Sequence, residues 1–118
     1  MGTFYVAIQV ADRFRERYVN VDAMVDTGST YTSLPESLLE ELGIEREETD
    51  IFEMADNRLV EYDMGETRVR LEGREFTVPV IFAADGSVPL VGMTTLEILR
   101  LGIDSVAEKL VPVTAFRK

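Results

Sequence analysis

The feature that most constrains how this chain can fold is a two-residue alternation of apolar positions that recurs along its length. Phe4, Val6, Ile8 and Val10 alternate with Tyr5, Ala7 and Gln9, and Val19, Val21, Ala23 and Val25 alternate with Asn20, Asp22 and Met24. Successive side chains of an extended strand point to opposite faces, so this period specifies strands with one buried face. Residues 12–17 between the two runs are polar and predict a turn, which makes the runs a first β-hairpin ending at Asp26.

Similar signals continue downstream. Residues 51–54 and 59–64 flank Ala55-Asp56-Asn57-Arg58 and predict a hairpin with a polar tip, a candidate mobile flap. Residues 67–71 and 75–82 predict another about Glu72-Gly73-Arg74, with Phe76, Val78, Val80 and Phe82 on one face. Asp85-Gly86 turns the chain, residues 88–91 predict a short buried strand ending at Gly92, and residues 103–106 and 110–113 predict a last hairpin. Two helices are expected. Ser33-Leu34-Pro35-Glu36 has capping-box spacing with Pro in the first turn, and Leu38, Leu39 and Leu42 follow at helical spacing before Gly43; Thr94-Thr95-Leu96-Glu97 opens a second helix stopped by Gly102. Strand signals roughly every eight to twelve residues argue an all-β fold, closed or sandwich-like, with two short helices. The 118 residues fit a single domain over 1–118.

Composition narrows the chemistry. With no cysteine and no histidine there is no thiolate nucleophile, no Ser-His pair and no Cys- or His-ligated metal, and the lysines, Lys109 and Lys118, both lie near the C-terminus. An enzyme built on this chain must work with carboxylates. A net charge of -10 disfavours nucleic-acid partners, whose phosphates are bound mainly by Lys and Arg. Apolar runs such as residues 78–84 are too short to cross a bilayer, residues 1–10 lack a basic region with a cleavage site, and Val6 stands where a myristoylation signal needs Ser or Thr. The expectation is a soluble cytoplasmic protein with no membrane partner.

Residues 25–30, Val-Asp-Thr-Gly-Ser-Thr, place an acid at the end of an apolar strand, followed by a small hydroxyl residue and a glycine that permits a tight turn. A plain Asx-turn is the structural alternative. Leu90-Val91-Gly92, an apolar pair and a glycine leading into a helix, lies well downstream. Together these segments resemble the retropepsin-like aspartic peptidases of clan AA, and the resemblance spans residues 4–113. It implies a closed, barrel-like acid-protease fold and an aspartic endopeptidase acting on peptide or protein substrates without a cofactor or metal. It further implies that Asp26 is the catalytic acid or base, Thr27 makes an interchain grip, Gly28 allows the turn, and Ala55, Asp56, Asn57 and Arg58 tip a flap over substrate. Leu90, Val91 and Gly92 would support the catalytic loop. The flap tip lacks the glycine-rich tip of viral members, and the helix over 35–42 is an addition to the smallest viral form; both features resemble cellular, prokaryote-type members.

One carboxylate cannot at once take a proton from water and polarise a carbonyl as an acid. Two carboxylates about 3 Å apart cannot easily both ionise, so one stays protonated and the pair fills both roles, as in aspartic peptidases generally. The chain has one Asp-Thr-Gly; Asp85-Gly86-Ser87 lacks the Thr and the preceding strand, and Asp56-Asn57 sits on a hairpin tip. The second carboxylate must then come from a second copy across a twofold axis, so a homodimer is expected. A rival reading is a non-catalytic dimeric module of the same fold that binds peptides by strand addition, with Asp26 only a turn residue. Another makes Asp56, Glu61, Asp63 and Glu66 a divalent-cation site, although their spacing lacks the pattern of a calcium loop and a solvated acidic face accounts for them better. Ile51, Phe52, Met54, Leu59 and Val80 suggest apolar subsites and are equally ordinary core residues.

Overall fold

The computed structural model of the chain describes residues 3–114. Met1 and Gly2, read above against a lipidation signal, and Lys118 lie outside the described residues. The first two strands, β1 (Phe4–Ala11) and β2 (Tyr18–Val25), pair antiparallel along their full length, Phe4 opposite Val25 and Ala11 opposite Tyr18. Their alternation sorts as expected: Ile8, Val10, Ala23 and Val25 are buried, while Tyr5, Ala7 and Asp22 are exposed. The Asp12 carboxylate holds the turn between them, accepting the Glu16 and Arg17 N–H groups at 2.7 and 3.0 Å.

The chain continues through β3 (Thr32–Pro35), α1 (Glu36–Glu41), β4 (Glu48–Glu53), β5 (Leu59–Leu71), β6 (Arg74–Ala83), β7 (Leu90–Val91), α2 (Met93–Leu99), β8 (Leu101–Asp104) and β9 (Lys109–Pro112). The main sheet runs β1-β2-β7-β3-β6-β5-β4, and β1 also pairs with β5, Gln9 opposite Arg70 and Val10 opposite Val69. Six strands therefore close into a ring, with β4 hanging outside on β5. Closure removes free sheet edges everywhere but at β4 and the separate β8–β9 hairpin. The interior is filled from all sides by Ile8, Leu34, Leu71, Val80, Val91 and Leu96, each at most 1% exposed. Fully burying such a side chain contributes about 1.5–3 kcal/mol. The expected all-β architecture with two short helices holds. No helix among the described residues is long and apolar enough to cross a membrane.

Several element boundaries differ from expectation. Ser33, Leu34 and Pro35 are strand β3, pairing with β6 and β7, so Ser33 caps nothing and α1 starts at Glu36 behind Pro35. Residues 59–64 and 67–71 form one 13-residue strand, β5. Helix α2 starts after Gly92 and ends at Arg100 in the left-handed region (φ 57°), which leaves Gly102 inside β8 rather than at the helix stop. Only Leu90 and Val91 of residues 88–91 are strand, and the last hairpin begins two residues early, at Leu101. Phe76 is 57% exposed, beyond the buried row of Val78, Val80 and Phe82.

The ring closure carries a polar row on its outer face. Asn20 on β2, Gln9 on β1, Arg70 on β5 and Glu75 on β6 stand opposite one another strand by strand and are joined by side-chain hydrogen bonds. Glu75 accepts from the Tyr18 hydroxyl, from Arg68 Nε at 2.8 Å and from Arg70 Nε at 3.2 Å. These donors, Tyr18 first, hold its carboxyl down to about 2, against partial burial that pushes it up. The folded-state value lies below the unfolded one, so the contribution is fully present above about pH 4.5 and is lost as pH falls through about 2. Glu75→Gln is expected to destabilise the fold by about 1–2 kcal/mol near neutral pH, after allowance for solvent screening. Urea titrations should show the gap to wild type closing between about pH 4.5 and pH 2. A constant gap across that range would mean the charge on Glu75 contributes nothing.

Candidate active site

The Asp26 turn is built by three strands that meet beneath it. β7 runs parallel to β2, Val25 opposite Val91, and antiparallel to β3, Ser33 opposite Leu90. Residues 26–31 therefore loop from β2 across the end of β7 into β3. Asp26 N–H donates to the Val91 carbonyl at 3.1 Å, and Ser29 N–H closes the turn on the Asp26 carbonyl at 3.1 Å. The first N–H groups of α2 would otherwise lack partners. Met93 and Thr94 donate theirs to the Ser29 and Thr30 carbonyls, both at 2.9 Å, so the loop caps the helix and no side-chain cap is needed.

The Val91-Gly92 peptide is fixed at both ends. Its carbonyl accepts from Asp26 N–H, and its N–H donates to Thr32 Oγ1 at 3.2 Å. Thr32 is fully buried and bonds Thr95 Oγ1 of α2 at 2.6 Å. Leu90, Val91 and Gly92 thus lie directly under the loop. Sequence reading gave Thr32 no role and took Thr95 for part of a cap.

Asp26 is half-buried and lines a cleft of about 660 Å³. Its Oδ1 accepts the Gly28 N–H at 2.9 Å and its Oδ2 the Ser29 hydroxyl at 3.2 Å, which together fix the plane of the carboxylate. Gly28 does not use the left-handed backbone expected of a turn glycine. It serves by leaving room, since a Cβ there would lie 3.3 Å from Asp26 Oδ1. Thr27 is half-buried beside it.

The β4–β5 hairpin forms the opposite wall. Its tip is tied to itself: Asn57 adopts φ 69°, its N–H bonds the Met54 carbonyl at 2.9 Å, and Arg58 Nε pairs with Asp56 Oδ2 at 2.7 Å. Of the four expected flap residues, Ala55 lines the cleft, while Asp56, Asn57 and Arg58 stand exposed beyond it. The cleft instead meets Phe52, Glu53 and Met54. Of the other expected subsite residues, Val80 is buried in the core, and Ile51 and Leu59 are exposed outside the cleft. A run of edge-on aromatic contacts joins loop to flap, Tyr31 to Phe52 at 6.1 Å and Phe52 to Tyr62 at 5.8 Å between ring centres. Each such pair contributes about 0.5–1.5 kcal/mol beyond its burial.

Asp85, Asp63 and Asp56 have structural partners. Asp85 Oδ1 accepts the Ser37 N–H at 3.0 Å and so caps α1 from a distant turn. Asp63 is held by Thr49 at 2.5 Å and by Arg46 at 2.8 Å, and Asp56 by Arg58. Among the described residues no group of three or more acids could hold a metal ion, so Asp56, Glu61, Asp63 and Glu66 do not assemble into a cation site. Among the described residues, the charged ones lining the cleft are Asp26 and Glu53.

Comparison with known proteins agrees with this geometry. A family model described as gag-polyprotein putative aspartyl protease matches residues 17–98. Among solved structures, the solution structure of the simian foamy virus (mac) protease superposes with a TM-score of 0.57 at 18% identity, covering 81% of this chain and 94% of that one. At that identity the likeness is one of fold. No curated protein matches the chain by sequence.

Proposed function

Because this chain belongs to the gag-polyprotein aspartyl protease family, a retropepsin-like group, we propose that it is an aspartic endopeptidase acting as a cytoplasmic homodimer on peptide or protein substrates, with one Asp26 from each protomer at the reacting centre. The observation that carries this reading is the Asp26 carboxylate held by Gly28 N–H and Ser29 Oγ–H in a cleft also lined by the β4–β5 hairpin. In the dimer a water lies between the two carboxylates. The ionised one takes a proton from the water as its oxygen attacks the scissile carbonyl carbon, and the protonated one gives its proton to the carbonyl oxygen. The tetrahedral adduct then collapses: the C–N bond breaks, the departing nitrogen takes a proton from one carboxyl, and a hydroxyl of the adduct returns a proton to the other. In this reading Thr27 grips its copy across the axis and the hairpin tipped by Ala55, Asp56, Asn57 and Arg58 closes over substrate. No metal or cofactor enters the scheme.

Sedimentation equilibrium tests the dimer. Two confronted carboxylates share one proton, so the assembled protein binds a proton that separated chains do not, and association strengthens from neutral to mildly acid pH. Asp26→Asn removes both charges with little change of shape. It is expected to dimerise roughly tenfold more tightly than wild type near neutral pH, the two converging as pH falls. Equal affinities with equal pH slopes would show that the aspartates do not face each other, and a monomer that cleaves peptides would remove the dimeric mechanism.

A further inference from the structure

We infer that the cleft selects peptides carrying a tyrosine, whose ring lies against the aromatic side chains of the cleft while its hydroxyl pairs with Ser33, the specificity-determining residue; this rests on the peptidase reading above. The strand register carries it. Residues opposite each other in paired strands share a face, and so do residues two apart along one strand. Met24 on β2 stands opposite Leu90 on β7, Leu90 opposite Ser33 on β3, and Ser33 opposite Ile81 on β6. Ile81 in turn faces Met64 on β5, which lies two residues from Tyr62, and Val60, two further, faces Phe52 on β4. Met24, Leu90, Ser33, Ile81, Tyr62 and Phe52 therefore belong to one continuous face, all half-buried and all lining the cleft. Val25, Val91, Leu34 and Phe82, which alternate with them, are buried in the core on the other face.

Ser33 is the polar interruption in the middle of that floor, between Leu90 and Ile81. Its hydroxyl has no hydrogen-bond partner among the described residues, whereas the Ser29 hydroxyl in the same cleft is committed to Asp26 at 3.2 Å. A wholly apolar side chain laid over this floor strips water from the Ser33 hydroxyl and returns no hydrogen bond, which costs free energy. A side chain that brings its own hydroxyl restores the bond, and sites of that kind discriminate against the analogue lacking the group. The ring follows from the walls. Tyr31, Phe52 and Tyr62 already meet edge-on, and an entering ring extends that run. Serine and threonine bring a hydroxyl without a ring, and phenylalanine a ring without a hydroxyl; tyrosine meets both requirements. Met24 precedes Asp26 by two residues, so a side chain held here comes from a residue close to the bond that Asp26 addresses.

The test is a set of peptides of equal length in which one tyrosine is walked through an apolar core, each matched with phenylalanine at the same position. Wild type is expected to prefer tyrosine to phenylalanine by roughly threefold to tenfold in kcat/KM at one position, the worth of one neutral hydrogen bond. That ratio should fall to near one in Ser33→Ala. Because both peptides meet the same enzyme, the ratio is independent of how much of the variant is folded or assembled. A wild-type ratio near one at every position, or a ratio that survives in Ser33→Ala, overturns the inference. If wild type cleaves none of the peptides, the peptidase reading fails instead. The same ratios are then read from binding by fluorescence anisotropy, where the tyrosine preference should again depend on Ser33; a binding preference that ignores Ser33, or none at all, overturns the inference in that case as well.

Discussion

Asp26→Asn is expected to lower kcat/KM at least about 10³-fold for any peptide the wild type cleaves, with the fold retained. A single general acid or base contributes about 10²–10⁴-fold, and in a homodimer one substitution removes both. The fold survives because the turn's contacts do not need the charge. The amide oxygen of Asn can still accept the Gly28 N–H that Asp26 Oδ1 accepts at 2.9 Å, and the Ser29 hydroxyl at 3.2 Å can rotate from donor to acceptor toward the new NH₂. Steady-state kinetics together with urea titration separates lost chemistry from lost structure. Parental turnover in Asp26→Asn would sink the assignment. A wild type that binds peptides without cleaving them would favour the non-catalytic module.

The parts of the site that sequence reveals are those whose information is local. Eight alternating residues suffice to define β2 and to show that an acid stands at its end. Strand β3 is different: its four residues gain their partners from β6, Thr32 opposite Val80, and from β7. Locally, Ser33 and Glu36 do have capping spacing, but the α1 N–H at Ser37 is satisfied by Asp85 from another turn, so the long-range pairing wins. Gly65 misleads in the same way. It lies between residues 59–64 and 67–71, which were expected in separate hairpins, yet it is inside β5, where a side chain would run into the Glu45 carbonyl and the Phe82 ring.

The flap shows the same division. Its polar, exposed tip is legible, because Ala55 to Arg58 separates two apolar runs. Which residues face the cleft is not, since the Asp56–Arg58 pair turns the tip upon itself and leaves the contact to Phe52, Glu53 and Met54. Tyr31, Phe52 and Tyr62 come from three separate stretches of chain, and no periodicity joins them before the fold does.

Gly92→Ala is expected to destabilise the protein by about 3–4 kcal/mol, at the severe end for a single added methyl group. A Cβ at position 92 would lie closer than 3.0 Å to the backbone N, C and O of Tyr31. The obstacle is main chain and has no rotamer to change. Neither side can move cheaply: Gly92 N–H is bound to the buried Thr32–Thr95 pair, Val91 O to Asp26 N–H, and Met93 and Thr94 to the loop carbonyls of Ser29 and Thr30. Displacing the Val91-Gly92 peptide therefore displaces Asp26. Gly102→Ala is the matched control, because its Cβ would meet the end of the Val113 side chain at 2.8 Å, a group that can rotate away. It should cost about 1 kcal/mol or less. Against a total stability of about 5–15 kcal/mol, the first change consumes a large share and the second little, a contrast that urea midpoints measured side by side will resolve. A Gly92→Ala chain as stable as Gly102→Ala would mean that Tyr31 and β7 are not locked together, and the position of Asp26 would then need another cause.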